Sequence, residues 1–403
     1  MSSLQTSNLF KPLTVSSSIV LKHRLVHAPT TRFRATKDHI PSNLQLKYYD
    51  DRSKTPGSLI ITEATFISPA AGGYFHAPGI WSDKQVKGWR KIADKVHENG
   101  SFLALQLWAL GRQAEPDILA AEKQKFVSST DDIYLSTRSK KAAIKNNIPL
   151  KALTVPEIKQ WTQDYATAAK NAISAGADIV ELHGANGYLI DQFLQECTNK
   201  RSDEYGGSIE NRAKFLLEII DSIIEKIGDA KKVAIRLSPW SEFGGMAGIT
   251  EDPNTLETFK YVFSEFQKRA DNGKSLAYIS IVEPSVNGHD DVVDSDSNSK
   301  SNNIFLDIWK GTVIRAGGYL SDPAHKSLLN DVNSNDRTLI AAGRYFLSNP
   351  DLVDRLRNKW PLTKYDRSTF YAFASNNGYN VWPTYNQKID INEIKDQTSV
   401  ALA

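Results

Sequence analysis

Four hundred and three residues with 49 Lys and Arg against 46 Asp and Glu carry a formal charge of +3, too balanced for an electrostatic footprint on nucleic acid. Ordinary apolar, Gly and Pro content excludes collagen, disulfide scaffolds and global disorder. A single cysteine, Cys197, allows neither an intramolecular disulfide nor a Cys-based zinc site, which suggests a reducing compartment.

In chain order, the N-terminus lacks secretory and transit patterns, and no apolar run approaches the ~18 residues that span a bilayer. A cytoplasmic protein with no membrane partner is expected. Residues 8–22 read as a short hairpin closing one end of the fold. Eight β-rich apolar runs follow: RLVHAP (24–29), SLIITEA (58–64), FLALQLW (102–108), DIVELHGA (178–185), VAIRLSP (233–239), AYISIVE (277–283), TVIRAGG (312–318) and TLIAAGR (338–344). Near-continuous Val, Ile and Leu is what a parallel strand buried on both faces requires.

Segments of helical period separate the runs. Asn99-Gly100 ends the helix before the third run, Thr154 with Glu157 forms a capping box, and Gly176 closes that helix. Ser208 and Gly228 bracket the next, and Pro350 opens one after the eighth run. Strand and helix repeated eight times predict a (β/α)₈ TIM barrel, since each parallel crossover needs a helix. The rival doubly wound sheet is disfavoured because no GxGxxG follows the first strand. Residues 109–153 and 284–305 are long inserted loops after strands 3 and 6, with partial disorder expected in 290–303. Residues 1–403 are expected to form one domain, with a core over 8–385 and a C-terminal tail over 386–403.

Barrel active sites lie where strands end at their C-termini. There the sequence places Thr30 and Thr31, Gln106 and Trp108, His183, Asn186 and Tyr188, Arg236, Arg315, Gly317-Gly318 and Gly343-Arg344. Arg236 inside an apolar run needs an anionic ligand or an internal ion pair, for which Glu63 and Glu283 are the candidates. Two glycine pairs with Arg344 after strands 7 and 8 suit a phosphate, and an arginine near the ring end suits a flavin, which becomes anionic on reduction. His183 and Asn186 could donate to one carbonyl oxygen while Tyr188 delivers a proton; singly, each could be a core histidine, a turn or a packed aromatic.

The stretch HGANGYLIDQFLQECTNKRSDEYGGSIENRAKF closely resembles the Old Yellow Enzyme family of FMN-dependent ene-reductases, particularly its fungal branch. The likeness runs from LFKPL through ITEATFISPAAGGY, LQLWALGR, IRLSPW, VIRAGG and GRYFLSNPDLVDRL to KYDRSTFY. The resemblance implies FMN as bound cofactor and NADPH as co-substrate. Thr31 and Ala64 would contact the flavin, Gln106 and Arg236 its pyrimidine edge, and Gly317, Gly318, Gly343 and Arg344 its phosphate. His183 and Asn186 would bind the substrate oxygen, Tyr188 would donate the proton, and Trp108, Phe243 and Tyr371 would wall the pocket. Enones, enals, nitroalkenes and phenols are the implied ligands, with a homodimer among the assemblies it allows. Thr30, Ala64, Gly244 and the loop around His289 and Asp290 depart from the fungal pattern and bear on substrate preference. Other readings on the same barrel are a flavin enzyme for another substrate class and a binder of steroids or phenols. Glu63 and Glu283 are expected to support the barrel floor, Cys197 to be inert, and no metal site is predicted.

Overall fold

The computed structural model describes residues 3–288, 290–292 and 300–403. Eight strands form a closed parallel barrel: β1 (Leu25–His27), β2 (Leu59–Ile61), β3 (Phe102–Trp108), β4 (Ile179–Gly184), β5 (Val233–Leu237), β6 (Tyr278–Val282), β7 (Val313–Ala316) and β8 (Thr338–Ala342). Each pairs with its successor, and β8 returns to β1, so the eight strands close on themselves, with the short strand Thr65–Phe66 adding to the end of β3. Every residue of β4 is buried, which is why these runs read as apolar throughout rather than alternating.

After each strand comes a helix: α1 (Asn43–Ser53), α2 (Asp83–Glu98), α3 (Val155–Ser174), α4 (Ile209–Ile227), α5 (Pro253–Asp271), the single turn α6 (Asn303–Leu306), α7 (Lys326–Asn333) and α8 (Leu352–Asn358). The expected stop signals hold for α2 and α3, with Asn99 as the cap of α2 and Gly100 and Gly176 in the left-handed conformation. Thr154 and Glu157 form the reciprocal capping box of α3. Ser208 caps α4 by accepting from the Asn211 amide, and Gly228 ends it at φ 77°. Pro350 differs from expectation. It precedes the cap Asp351 of α8, and a short helix, Arg344–Ser348, follows β8 directly.

The N-terminal hairpin pairs Leu13–Ser16 with Ile19–Leu21, and its Leu13, Val15, Ile19 and Leu21 pack with inward residues of the barrel such as Val26, Ala104, Ala234 and Ile314. The insertion after β3 is structured: helices Pro116–Ala121 and Thr137–Lys145 flank a parallel pairing of Val127–Ser128 with Lys151–Ala152. After β6, Val286–Asn287 pairs with Asp290–Asp291. Residues 293–299 of the stretch expected to be partly disordered, and His289, lie outside the described residues. The C-terminal segment, expected as a tail beyond the core, docks along the chain: Thr398 bridges Ser375, Ala401 bridges Ser42, and the Leu402 amide donates to Pro41. Among the described residues no helix is long and apolar enough to cross a membrane.

Candidate active site

A cavity of about 610 Å³ opens at the C-terminal ends of the strands. Of the residues the sequence places at the site, all but Arg315 line it: Thr30, Thr31, Ala64, Gln106, Trp108, His183, Asn186, Tyr188, Arg236, Phe243, Gly317, Gly318, Gly343, Arg344 and Tyr371.

The β4 motif places three groups on one wall. His183 is buried, and burial with the nearby Arg236 charge holds its imidazole down to about 3, so it is neutral. Its Nδ1 accepts the Ala185 amide at 3.4 Å, which leaves Nε2 to carry the proton. Asn186 sits in the left-handed region at φ 56°, where Asn is tolerated, held by its amide to Ser238 Oγ (2.7 Å) and its carbonyl to Gln113 Nε2 (2.6 Å). Its side-chain Oδ1 is buried and unpartnered. Gly187 must be glycine, since at φ 70° a Cβ would stand 2.8 Å from the Phe243 carbonyl oxygen. The turn and the asparagine that faces the cavity are thus one feature. Tyr188 follows, its ring 4.8 Å from both Trp108 and His183. Burial and the phenols of Tyr74 and Tyr371 push its hydroxyl well above the usual value, so it keeps its proton.

Three expectations are corrected. Arg236 answers neither Glu63 nor Glu283; the carboxylate acting on it is Glu181. Arg315 does not face the cavity: it pairs with Glu283 (2.6 Å) and Asp331 (3.1 Å) on the helix side of β7, because strand alternation turns it outward from Ile314 and Ala316. Glu63 and Glu283 have structural partners as expected, but at the C-terminal rim rather than the floor; Glu63 accepts from Gln45 Nε2 at 2.7 Å and from the Arg32 amide.

Several lining residues were missed: Phe33, Tyr74, Phe75, Phe370 and Phe373. They lie on irregular segments rather than at strand ends. Phe33 adopts φ 58°, a costly conformation for an aromatic residue that marks a constrained position. Tyr74 donates to the Gln113 carbonyl at 2.9 Å and so backs Tyr188.

The donor set answers whether a flavin mononucleotide fits. Arg236 makes no hydrogen bond to protein among the described residues, its Nε being buried and unpartnered, and Thr30 Oγ1 is likewise orphaned. A buried guanidinium without an acceptor is costly unless a ligand supplies one. Across the mouth, a Cβ at Gly318 would have no neighbour closer than 3.8 Å, and one at Gly343 would touch Thr30 Cγ2 at 3.3 Å, so the bare backbone leaves room for a ligand. Arg344 is held there by Asp291, Nη1 to Oδ2 at 2.7 Å.

A guanidinium without an acceptor at one end and open glycine backbone with a second guanidinium at the other match the needs of a ring that turns anionic and a phosphate, so fold and site define a flavin-dependent oxidoreductase of barrel type. Residues 8–363 match the model of the NADH:flavin oxidoreductase / NADH oxidase family, and the chain belongs to that family. It is 49% identical over 380 residues to a probable NADPH dehydrogenase of Candida albicans, covering 94% of this chain and 91% of that one. Enoate reductase 1 of Kluyveromyces lactis is 44% identical over 389 residues, 96% of each chain. The crystal structure of Old Yellow Enzyme from Pichia sp. AKU4542 superposes with a TM-score of 0.92 at 47% identity, covering 98% of this chain and 99% of that one. The chain is an FMN-dependent oxidoreductase that uses a nicotinamide reductant.

Proposed function

We propose that this enzyme uses NADPH to reduce the activated C=C bond of enones, enals and nitroalkenes, with residues 8–385 as one FMN-binding unit. The observation that carries the reading is the single wall on which neutral His183, protonated Tyr188 and the side chain of Asn186, which bonds to no protein group among the described residues, meet. When bound, FMN would carry hydride from NADPH to the substrate. His183 and Asn186 donate to the substrate's carbonyl or nitro oxygen, drawing electron density toward it and making Cβ electrophilic. Tyr188 then gives its phenolic proton to Cα, so the C=C bond becomes CH–CH and the phenolate is reprotonated from solvent. Trp108, Phe243 and Tyr371 wall the pocket. Thr31, Ala64, Gln106 and Arg236 would hold the ring, and Gly317, Gly318, Gly343 and Arg344 the phosphate.

Stopped-flow kinetics of Tyr188→Phe separate the steps. Flavin reduction by NADPH needs no proton from Tyr188 and should stay near wild type. Reduction of 2-cyclohexenone should slow by about 10² to 10⁴, with nitroalkenes partly spared because a nitronate can leave and be protonated by water. Equal slowing of both half-reactions, or none with 2-cyclohexenone, refutes the assignment.

A further inference from the structure

Gln106 and Arg236 share a neighbour that the reading above leaves without a task. Glu181 lies on β4 with the inward alternation of Ile179 and His183 and is fully buried. It is the register partner of Gln106 across the β3–β4 pair, and its Oε1 accepts from Gln106 Nε2 at 2.6 Å. Among the described residues its Oε2 is buried without a partner at hydrogen-bond geometry, as is the hydroxyl of Tyr278, the phenol that acts on it. On the other side, Glu181 stands opposite Ala234 of β5, two residues before Arg236, so the two charges occupy adjacent inward positions. Among the described residues no other carboxylate acts on Arg236.

Burial holds the Glu181 carboxyl above its usual value, against the smaller opposing pulls of Arg236, the Tyr278 phenol and the Gln106 amide. The half-buried Arg236 guanidinium beside it is the partner that favours ionisation in this layer. Hydrogen bonding to Glu181 also occupies one of the two N–H donors of the Gln106 amide and so fixes its orientation, leaving its oxygen and the second N–H for a ligand.

We propose that Glu181 is a positioning residue for the cofactor: as a carboxylate it fixes which face of the Gln106 amide meets the ring, and it offsets the Arg236 charge so that the ring meets a paired rather than a lone cation. The consequence is a flavin harder to reduce, and therefore a stronger hydride donor, than Arg236 alone would give. The inference rests on placing the pyrimidine edge of the ring at Gln106 and Arg236.

The test is the midpoint potential of the holoenzyme, from dye-equilibrated reductive titration, together with the rate of flavin release. Glu181→Gln keeps an acceptor for Gln106 and removes the charge. It should retain flavin and raise the potential by the equivalent of about tenfold in the reduced-to-oxidised ratio, ~30 mV for a two-electron couple. Glu181→Asp keeps the charge but withdraws it from Gln106; its potential should stay near wild type while flavin release quickens several-fold. An unchanged or lowered potential in Glu181→Gln overturns the proposal. Arg236→Gln is the control: it should lower the potential, and if it alters neither potential nor flavin release, the placement of the ring is wrong. Should Glu181→Gln fail to fold, the infrared spectrum of the holoenzyme decides. A protonated-carboxyl stretch that moves in Glu181→Asp overturns the proposal, and its absence sustains it.

Discussion

On the floor of the cavity, Gln106, His183 and Arg236 hang from three adjacent strands, and backbone register alone sets their spacing. At the rim, Phe33, Tyr371 and Phe373 hang from two irregular segments that side chains must hold together. Arg34 does most of this: its five N–H groups donate to the carbonyls of Arg32, Thr369, Phe370, Ser375 and Asn377, at 2.6 to 3.0 Å. Arg32 adds bonds to Phe370 and Gly378. The floor therefore inherits the rigidity of the barrel, whereas the rim depends on a few buried guanidiniums. Chemistry common to a fold belongs on the first, and substrate preference can vary on the second.

The largest effect expected from breaking this contrast comes from Arg34→Ala. It leaves four carbonyls without their donor, Phe370 keeping its bond from Arg32, and Glu63 with one fewer buried counter-charge, a loss of roughly 3 to 5 kcal/mol. Urea unfolding followed by tryptophan fluorescence checks it. A loss below 1 kcal/mol would mean that the rim is held by its aromatic contacts instead.

A smaller effect is expected on the floor. His183→Ala should weaken p-hydroxybenzaldehyde, bound as phenolate, by about 1.5 to 3 kcal/mol, the range for a hydrogen bond to a charged group. The pH profile sharpens the test. With its folded value about 3 against an ordinary 6.5, His183 is neutral throughout pH 5 to 8. Phenol affinity should rise with ionisation of the ligand and show no fall near pH 6.5, the fall that loss of a cationic imidazole would cause. The same depression makes the buried ring's contribution to stability complete above pH 6.5 and lost as pH falls toward 3, because the unfolded chain takes the proton first. Titration of the ligand-binding wall near pH 6.5 would disprove the neutral assignment.

This contrast also explains what the sequence disclosed. The eight strands were legible because both faces of each are buried, and Gln106, His183 and Arg236 because polar residues interrupt such runs only for a reason. Arg315 was misread by the same logic: a polar residue in β7 also interrupts an apolar run, but it faces α7, and parity within a four-residue strand is fixed only by its neighbours. Tyr74, Phe75 and Phe33 carried no periodic signal. The Arg34 clamp spans 336 residues to Phe370 and leaves no local trace. Glu181, one of three inward residues of β4, was hidden inside a motif read for its histidine.

The smallest predicted effect concerns the C-terminal segment, which reinforces the rim from outside. Ser399 Oγ donates to the Arg34 carbonyl at 2.7 Å, its amide donates to Ala374, and the Asn376 amide donates to Gln397. These bonds steady residues 374–376, next to Tyr371 and Phe373, but they are partly exposed and Arg34 remains when they go. Ending the chain after Lys395 should therefore raise KM for 2-cyclohexenone by about two- to fivefold, or ~0.4 to 1 kcal/mol, within the net value of a single hydrogen bond. The turnover number and bound flavin should not change, because no floor residue contacts the segment removed. Steady-state kinetics with flavin content measured in parallel is the check. Loss of flavin, or a fall in kcat matching the rise in KM, would show that floor and rim are mechanically coupled and that the division between them fails at this end of the chain.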